Sequence, residues 1–150
     1  MSEQLSHRIS TKVISTVAAG ASGSSDMNSD GVDTTGYDGV RFIVPFGPIT
    51  SGAITAVRVQ QSDDDGSADA YGDLAGAASL AVGDTRDEDI VIVEIWRPQK
   101  KWLRVYVDRG TQVATVYPII AERYNMRTLG EADDSATVIS RTILTSPAEA

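Results

Sequence analysis

Residues 26–31, Asp-Met-Asn-Ser-Asp-Gly, carry the spacing that comes nearest to a chemical site. Asp26, Asn28 and Asp30 set oxygen donors at alternating positions, and Gly31 falls where a calcium loop makes its sharp turn. Such a loop closes with a bidentate Glu at its twelfth position, which here is Tyr37. Asp33 and Asp38 are close but out of register, and Asp, Asn, Ser and Gly are also ordinary loop residues. Asp26, Asn28 and Asp30 therefore make a weak metal candidate, and no cofactor is expected. The run Asp63-Asp64-Asp65-Gly66 could hold a cation or form a turn, and its composition favours the turn.

Other chemistries lack their parts. The chain has no cysteine, which excludes disulfides, thiol nucleophiles and zinc-thiolate sites. Its one histidine, His7, lies in the polar N-terminal stretch, a poor place for an oriented imidazole. Glycosidase chemistry needs two carboxylates at a set separation. With 21 acidic residues, some pair meets that spacing by chance. There is no phosphate-cradling G-x-x-x-x-G-K, no G-x-S-x-G and no H-E-x-x-H. No catalytic residue is assigned, and the expectation is a protein that is not an enzyme.

The aromatic residues are more informative. Trp96, Arg97, Lys101, Trp102, Arg104 and Tyr106 crowd into eleven positions, with Lys100 among them and Tyr117 not far beyond. Trp, Tyr and Arg are the residue types enriched at protein interfaces, so these six are interface candidates. A second core layer and a carbohydrate-stacking platform are the other uses of the same residues.

The elements that must position them read as strands. Val40, Phe42, Val44 and Phe46 alternate with other residues, and so do Ala53, Thr55, Val57 and Val59. A hairpin pairing Phe46 with Ala53, Phe42 with Val57 and Val40 with Val59 is self-consistent. Residues 89–96 and 101–108 flank Arg97-Pro98-Gln99-Lys100, and a second hairpin would pair Ile95 with Leu103, Val93 with Val105 and Val91 with Val107. On its other face Trp96 would meet Trp102 and Glu94 would meet Arg104. A third strand, 113–121, would follow through a tight turn at Gly110-Thr111, with Pro118 marking an edge or bulge. Residues 71–82 are Ala-rich enough for a helical turn or two, although Gly72 and Gly76 oppose it. The expected fold is all-β, a β-sandwich or barrel-like (jelly-roll-like) domain over residues 31–125. Residues 1–30, with the Gly/Ser/Asp-rich stretch 19–36, suggest a flexible N-terminal arm. Residues 126–150 read as a C-terminal arm in which Thr137–Leu144 could close the domain's own sheet or add to a neighbour's edge.

With 150 residues the chain is long enough for one domain with a substantial core. No apolar run approaches the ~20 residues of a membrane span, and the apolar patch near the N-terminus is too polar for a signal peptide. The net charge of −8 is concentrated between Asp63 and Asp89, where nine acidic residues face one Arg, and the rest balances at twelve against twelve. Such a surface disfavours phosphate backbones, so nucleic acid is not an expected partner. The acidic stretch itself reads either as solvated loops or as an acidic binding face, with the loops favoured.

Several stretches carry a family likeness. They are residues 32–44 (VDTTGYDGVRFIV), Phe46-Gly47, residues 57–63 (VRVQQSD), residues 73–76 (DLAG) and residues 93–104 (VEIWRPQKKWLR). Over roughly Val32 to Tyr124 the chain resembles small proteins encoded beside the major capsid gene in tailed phages and prophages, several of them regarded as head decoration (cement) proteins. The extension after Tyr124 is longer than the group's pattern. The resemblance implies a bacteriophage virion component on the outer capsid surface, bound to the major capsid protein, self-associated as a homotrimer, and opposing internal DNA pressure. Another virion part (tail, neck or head fibre) and a carbohydrate-binding β module using Trp96, Trp102 and Tyr106 are the alternative readings.

Overall fold

The computed structural model describes residues 9–14, 21–74, 80–109, 112–128, 133–134 and 136–142. Twelve strands run through them: β1 (Ser10–Val13), β2 (Ala21–Gly23), β3 (Met27–Asn28), β4 (Val32–Asp33), β5 (Gly39–Ile49), β6 (Thr55–Ser62), β7 (Gly72–Asp73), β8 (Leu80–Val82), β9 (Ile90–Trp96), β10 (Trp102–Asp108), β11 (Ala114–Val116) and β12 (Ile120–Tyr124). No helix occurs among the described residues. The strands form two antiparallel sheets, and the fold is an all-β sandwich.

Several short strands are segments of one interrupted row. β1 and β2 lie along β12 and β11, which in turn share one edge of β5, while β9 takes the other edge. In the second sheet β3 and β4 lie along β10, β10 pairs with β6, and β7 and β8 share the far edge of β6. Counting rows in chain order, the first sheet reads 1-8-3-6 and the second 2-7-4-5. That is a jelly-roll order, in which the step from β6 to β7 stays in one sheet and the other steps cross between sheets.

The inward alternation follows the sequence pattern. Val40, Phe42, Val44 and Phe46 are buried from the first sheet, and Val57, Val59, Leu103, Val105 and Val107 from the second. Val91, Val93 and Ile95 pack on this core while remaining partly exposed. The strand partners differ from expectation. β5 and β6 belong to opposite sheets and form no hairpin. β9 pairs with β5, setting Val93 beside Phe42 and Glu94 beside Arg41, whereas β10 pairs with β6, setting Val105 beside Val59. Neither the Trp96–Trp102 pair nor the Glu94–Arg104 pair forms across a hairpin. The third strand likewise continues along β5 rather than along β10, with its break at residues 117–119 around Pro118 and a register shift between Ala114 and Val116. The physical reason is common to all three: alternation fixes which side chains face inward, and it is satisfied equally by a neighbour in the sheet or by a strand across the core. Gly110-Thr111 lies outside the described residues.

Three further expectations change. Ser10–Val13, Ala21–Gly23 and Met27–Asn28 are strands of the two sheets, so the described part of residues 1–30 belongs to the sandwich and is not a separate arm. Within 71–82, Gly72–Asp73 and Leu80–Val82 are strands; residues 75–79 are outside the described set. Residues 136–142 are irregular, not the strand expected over Thr137–Leu144 (of which 143 and 144 are outside the described set). This segment runs along the outer edge of β1. Thr11 N–H donates to Asp133 Oδ1 at 2.7 Å, Val13 N–H to Thr137 Oγ1 at 3.1 Å, and Asp134 N–H to the Thr11 carbonyl at 3.2 Å.

Because the chain has no cysteine of its own, paired cysteines report the register cleanly. The double variant Arg41→Cys/Glu94→Cys, at directly opposed positions, is expected to cross-link on mild oxidation, since opposed Cβ atoms lie about 5 Å apart. Glu94→Cys/Arg104→Cys, placed on different sheets, is expected to stay reduced; the reverse result on a non-reducing gel restores the hairpin.

Candidate functional site

The six interface candidates divide between two surfaces. Trp96, Arg97 and Lys101 belong to the end of β9 and the link that leaves it. Trp102, Arg104 and Tyr106 alternate along the outward face of β10, on the other sheet.

The β9 surface is built on an edge strand. One side of β9 pairs with β5, and the other side pairs with no strand among the described residues. Its outward-facing apolar side chains are left in solvent: Ile90 is 56% exposed, Ile92 50% and Trp96 52%. Trp96 is held in place. It lies beside Gly39, and Gly39 lies beside Tyr124. A Cβ on Gly39 would come within 2.4 Å of the Tyr124 hydroxyl, so the bare backbone there is what lets the Tyr124 ring lie across it. Tyr124 then stacks on Trp96 with centroids 6.1 Å apart and planes 14° apart. Its hydroxyl donates to Glu94 Oε1. Burial, then that bond, push the phenol up to about 12. Arg97, with φ near +50° where the chain turns away from the sheet, sets its guanidinium 5.4 Å from the Trp96 ring centre. Beyond it opens a cleft of about 470 Å³ lined by Arg97, Lys101, Arg127 and Asp38 among others. Arg127 reaches Asp38 at 3.5 Å, leaving Arg97 and Lys101 as cations with no ion pair among the described residues. An apolar edge thus runs into a basic corner on an acidic protein.

The outward face of the second sheet is a lattice of polar contacts. Tyr106 donates its hydroxyl to Asp26 Oδ2 and carries the Arg58 guanidinium 4.5 Å from its ring centre. Arg58 also reaches Asp73 at 3.0 Å. Arg104 donates from Nε to Gln60 Oε1 at 2.9 Å and lies 4.2 Å from the centre of the Tyr71 ring. Tyr71 in turn donates to Asp65 Oδ1 at 2.6 Å, and desolvation, reinforced by that carboxylate, raises its phenol well above the ordinary range. Trp102, half-buried, sits at the end of this row between Asp33 and Ser62.

The calcium-like run does not adopt the backbone geometry of a calcium loop. Met27–Asn28 is extended strand, and Gly31 lacks the left-handed φ that a sharp turn would need. Asp26 is engaged instead by the Tyr106 hydroxyl and by the Arg109 amide at 3.1 Å, and Asp30 lines a separate cleft with Trp102. Among the described residues no three His, Cys, Asp or Glu side chains gather as a metal site would require. Residues 63–66 are a turn, with Asp65 and Gly66 both at positive φ. His7 lies outside the described residues. Tyr124, Tyr71, Lys12 and Arg127 are site residues that sequence reasoning missed, and Asp65 stands out in the sequence only as part of a turn or cation run. Their signal is tertiary: Tyr124 meets Trp96 and Glu94, Tyr71 meets Arg104, Arg127 meets Asp38, and Lys12 shares a cleft with Trp102. Ile90 and Ile92 did carry a signal, because they alternate with the inward Val91 and Val93.

No protein-family description matches this sequence, and no curated protein sequence is similar to it. Among solved structures, the fold is similar to a chain of infectious bursal disease virus, strain Gx, at 9% identity and a TM-score of 0.40. That alignment covers 79% of this chain and 32% of the viral one, so this chain spans about a third of the protein it matches. It is also similar to the xylan-binding CBM22-1 domain of Paenibacillus barcinonensis Xyn10C, at 16% identity and a TM-score of 0.36, over 77% of this chain and 81% of that one. No helix among the described residues is long and apolar enough to cross a membrane.

Three loop carboxylates contribute to the acid response. The Tyr106 hydroxyl holds Asp26 below its ordinary value, the amides of Asp69 and Ala68 hold Asp64 below, and Lys100 holds Asp69 below. Folded values depressed below 3.8 mean that the unfolded chain takes up protons first as pH falls. Their contribution is complete above about pH 5 and disappears as pH drops through the folded values. Thermal unfolding followed from pH 7 to pH 2 is expected to show that decline, and Asp64→Ala is expected to lower the midpoint at pH 7 while flattening the acid limb. An acid limb unchanged by the substitution contradicts this assignment.

Proposed function

We propose that this chain is a non-enzymatic assembly protein of a tailed-phage particle, decorating the outside of the head and stabilising the shell. The observation that carries the reading is β9, an edge strand that pairs on one side only among the described residues and holds three large apolar side chains in solvent. Edge strands are normally shortened, charged or covered, because an exposed one pairs with other chains. β9 is seven residues long and bears one charge, on Glu94. Trp96, stacked on Tyr124 and adjacent to Arg97, supplies a rigid aromatic anchor of the sort that dominates binding energy at interfaces. The likeness of residues 32–124 to decoration proteins supplies the setting: the major capsid protein as partner, self-association as a homotrimer, and the outer capsid surface as location.

Purified particles decide the matter through the copy number of this chain relative to the major capsid protein, measured by quantitative mass spectrometry. A ratio near one to one is the expected result. A few copies per particle would move the protein to the neck or tail, and absence would overturn the reading. Ile92→Lys is expected to reduce occupancy on the particle by about tenfold or more, with thermal stability little altered because the side chain is half in solvent.

A further inference from the structure

On the second sheet, of which β9 is not a part, lies an open cleft of about 710 Å³. Its walls come from three places: Lys12 of β1, residues 29–31 between β3 and β4, and the loop that joins β6 to β7, through Asp65, Gly66, Ala70 and Tyr71. Trp102 and Arg104 of β10 complete the lining.

The loop wall is fixed rather than loose. Asp64 accepts the amides of Ser67, Ala68 and Asp69 at 2.6–3.0 Å. Ser62 bridges the base of the loop by donating to the Asp69 carbonyl at 2.6 Å. The opposite wall meets it without space to spare, since a Cβ on Gly31 would lie 2.0 Å from Asp65 Oδ1 and 2.2 Å from the Tyr71 hydroxyl. A side chain at position 31 would therefore force the Asp65–Tyr71 pair away.

The chemistry inside is balanced. Lys12 and Arg104 offer N–H donors and make no ion pair among the described residues; Asp30 and Asp65 offer carboxylate acceptors. Among the described residues, two positive and two negative groups leave the cleft without net charge, which favours neither an anion nor a cation. What it offers is a ring of mixed donors and acceptors beside an indole. Three other aromatics already carry a ring or a cation: Trp96 meets Tyr124 and Arg97, Tyr71 of the cleft itself meets Arg104, and Tyr106 meets Arg58. Trp102 carries neither a ring nor a cation on its face among the described residues.

We propose that this cleft binds a neutral saccharide, its apolar sugar face against the Trp102 indole and its hydroxyls shared between Arg104 and Lys12 as donors and Asp30 and Asp65 as acceptors. A sugar ring has that combination, one hydrophobic face and a rim of hydroxyls that both donate and accept, and a few convergent polar groups around an aromatic surface are how small-molecule sites fix orientation. The inference stands apart from the assembly reading, which uses the other sheet.

The chain has two tryptophans, so the experiment has a clean reporter. The folded protein is first screened on an array of neutral oligosaccharides of the gluco-, manno-, galacto-, xylo- and N-acetylhexosamine series, with sialylated glycans as charged controls. The strongest neutral binder is then titrated while the two indole N–H signals are followed by NMR, Trp96→Phe identifying which is which. The expected result is saturable movement of the Trp102 signal with the Trp96 signal still. Trp102→Ala should abolish binding, and the milder Asp30→Asn should weaken it about tenfold with unchanged thermal unfolding. Absence of neutral binders, preference for the sialylated controls, or affinity that survives Asp30→Asn and Trp102→Ala would each overturn the proposal.

Discussion

The structure depends on one packing requirement: the inward row of β5 must be covered by the inward rows of β6 and β10. Val40, Phe42, Val44 and Phe46 on one side, and Val57, Val59, Leu103, Val105 and Val107 on the other, are essentially without solvent. Each such side chain is worth roughly 1.5–3 kcal/mol on burial. Because rows that are consecutive in the chain sit mostly on opposite sheets, the chain must leave one sheet and enter the other repeatedly, and at every crossing backbone groups lose their ladder partners. Arg109 serves one of these crossings. Buried where β10 ends, it donates from Nε to the Ser25 carbonyl at 2.7 Å and from Nη1 to the Ala114 carbonyl at 3.1 Å. It thereby ties the turn between β2 and β3 to the start of β11. Desolvation lowers the pKa of its guanidinium, yet the group still leaves water because carbonyls at a crossing need donors.

The acidic stretch from Asp63 to Asp89 serves the same need from the acceptor side. Asp64 collects the amides of its own loop, Asp84 takes the Gly52 amide and Asp87 the Ile49 amide. Asp63 and Asp69 share Lys100, Asp73 meets Arg58, and Asp89 meets Arg86. Asp65 and Glu88 accept from Tyr71 and Tyr117. Each of the nine carboxylates thus has a local donor. The concentration of charge arises from loops that need acceptors where the sheets end, and it is neither a free acidic face nor merely a solubilising coat. A negative protein can therefore present a basic corner at Arg97 and Lys101 without the two fields cancelling in contact.

Much of this was legible in the sequence, and the illegible part has a single cause. Period-two alternation identified the long strands and named nearly every inward residue, from Val40 to Val107. It could not name partners, because rows of Val, Ile and Leu complement one another wherever they meet. Trp96 with Trp102 and Glu94 with Arg104 looked like a hairpin's signature, yet Glu94 lies beside Arg41 and Arg104 beside Gln60. The connection between β9 and β10 is short enough for a hairpin, but Arg97 adopts a left-handed conformation and the chain departs for the other sheet. The candidate surface was affected by the same error. All six interface candidates are at least partly exposed, but they were gathered onto one face when the fold distributes them over two. Tyr71 and Tyr124 carry no sequence signal because Arg104, Trp96 and Glu94 reach them from other strands, and Lys12 because the residues that share its cleft are remote in sequence.

The two edges of the first sheet are treated differently among the described residues. β1 is an edge strand too, yet its outward amides at Thr11 and Val13 are taken by Asp133 and Thr137, and Arg141 pins the covering segment through Asp133 at 2.6 Å. The chain spends a stretch after Tyr124 on closing that edge. At β9 the same sheet places three large apolar residues in solvent and fixes one of them, Trp96, by stacking and by a glycine that admits the stack. If exposure of edge strands were simply tolerated here, β1 would need no cover. If it were avoided throughout, β9 would carry lysines or end early. Among the described residues, one edge closed and the other left apolar is the contrast on which the proposed assembly role rests.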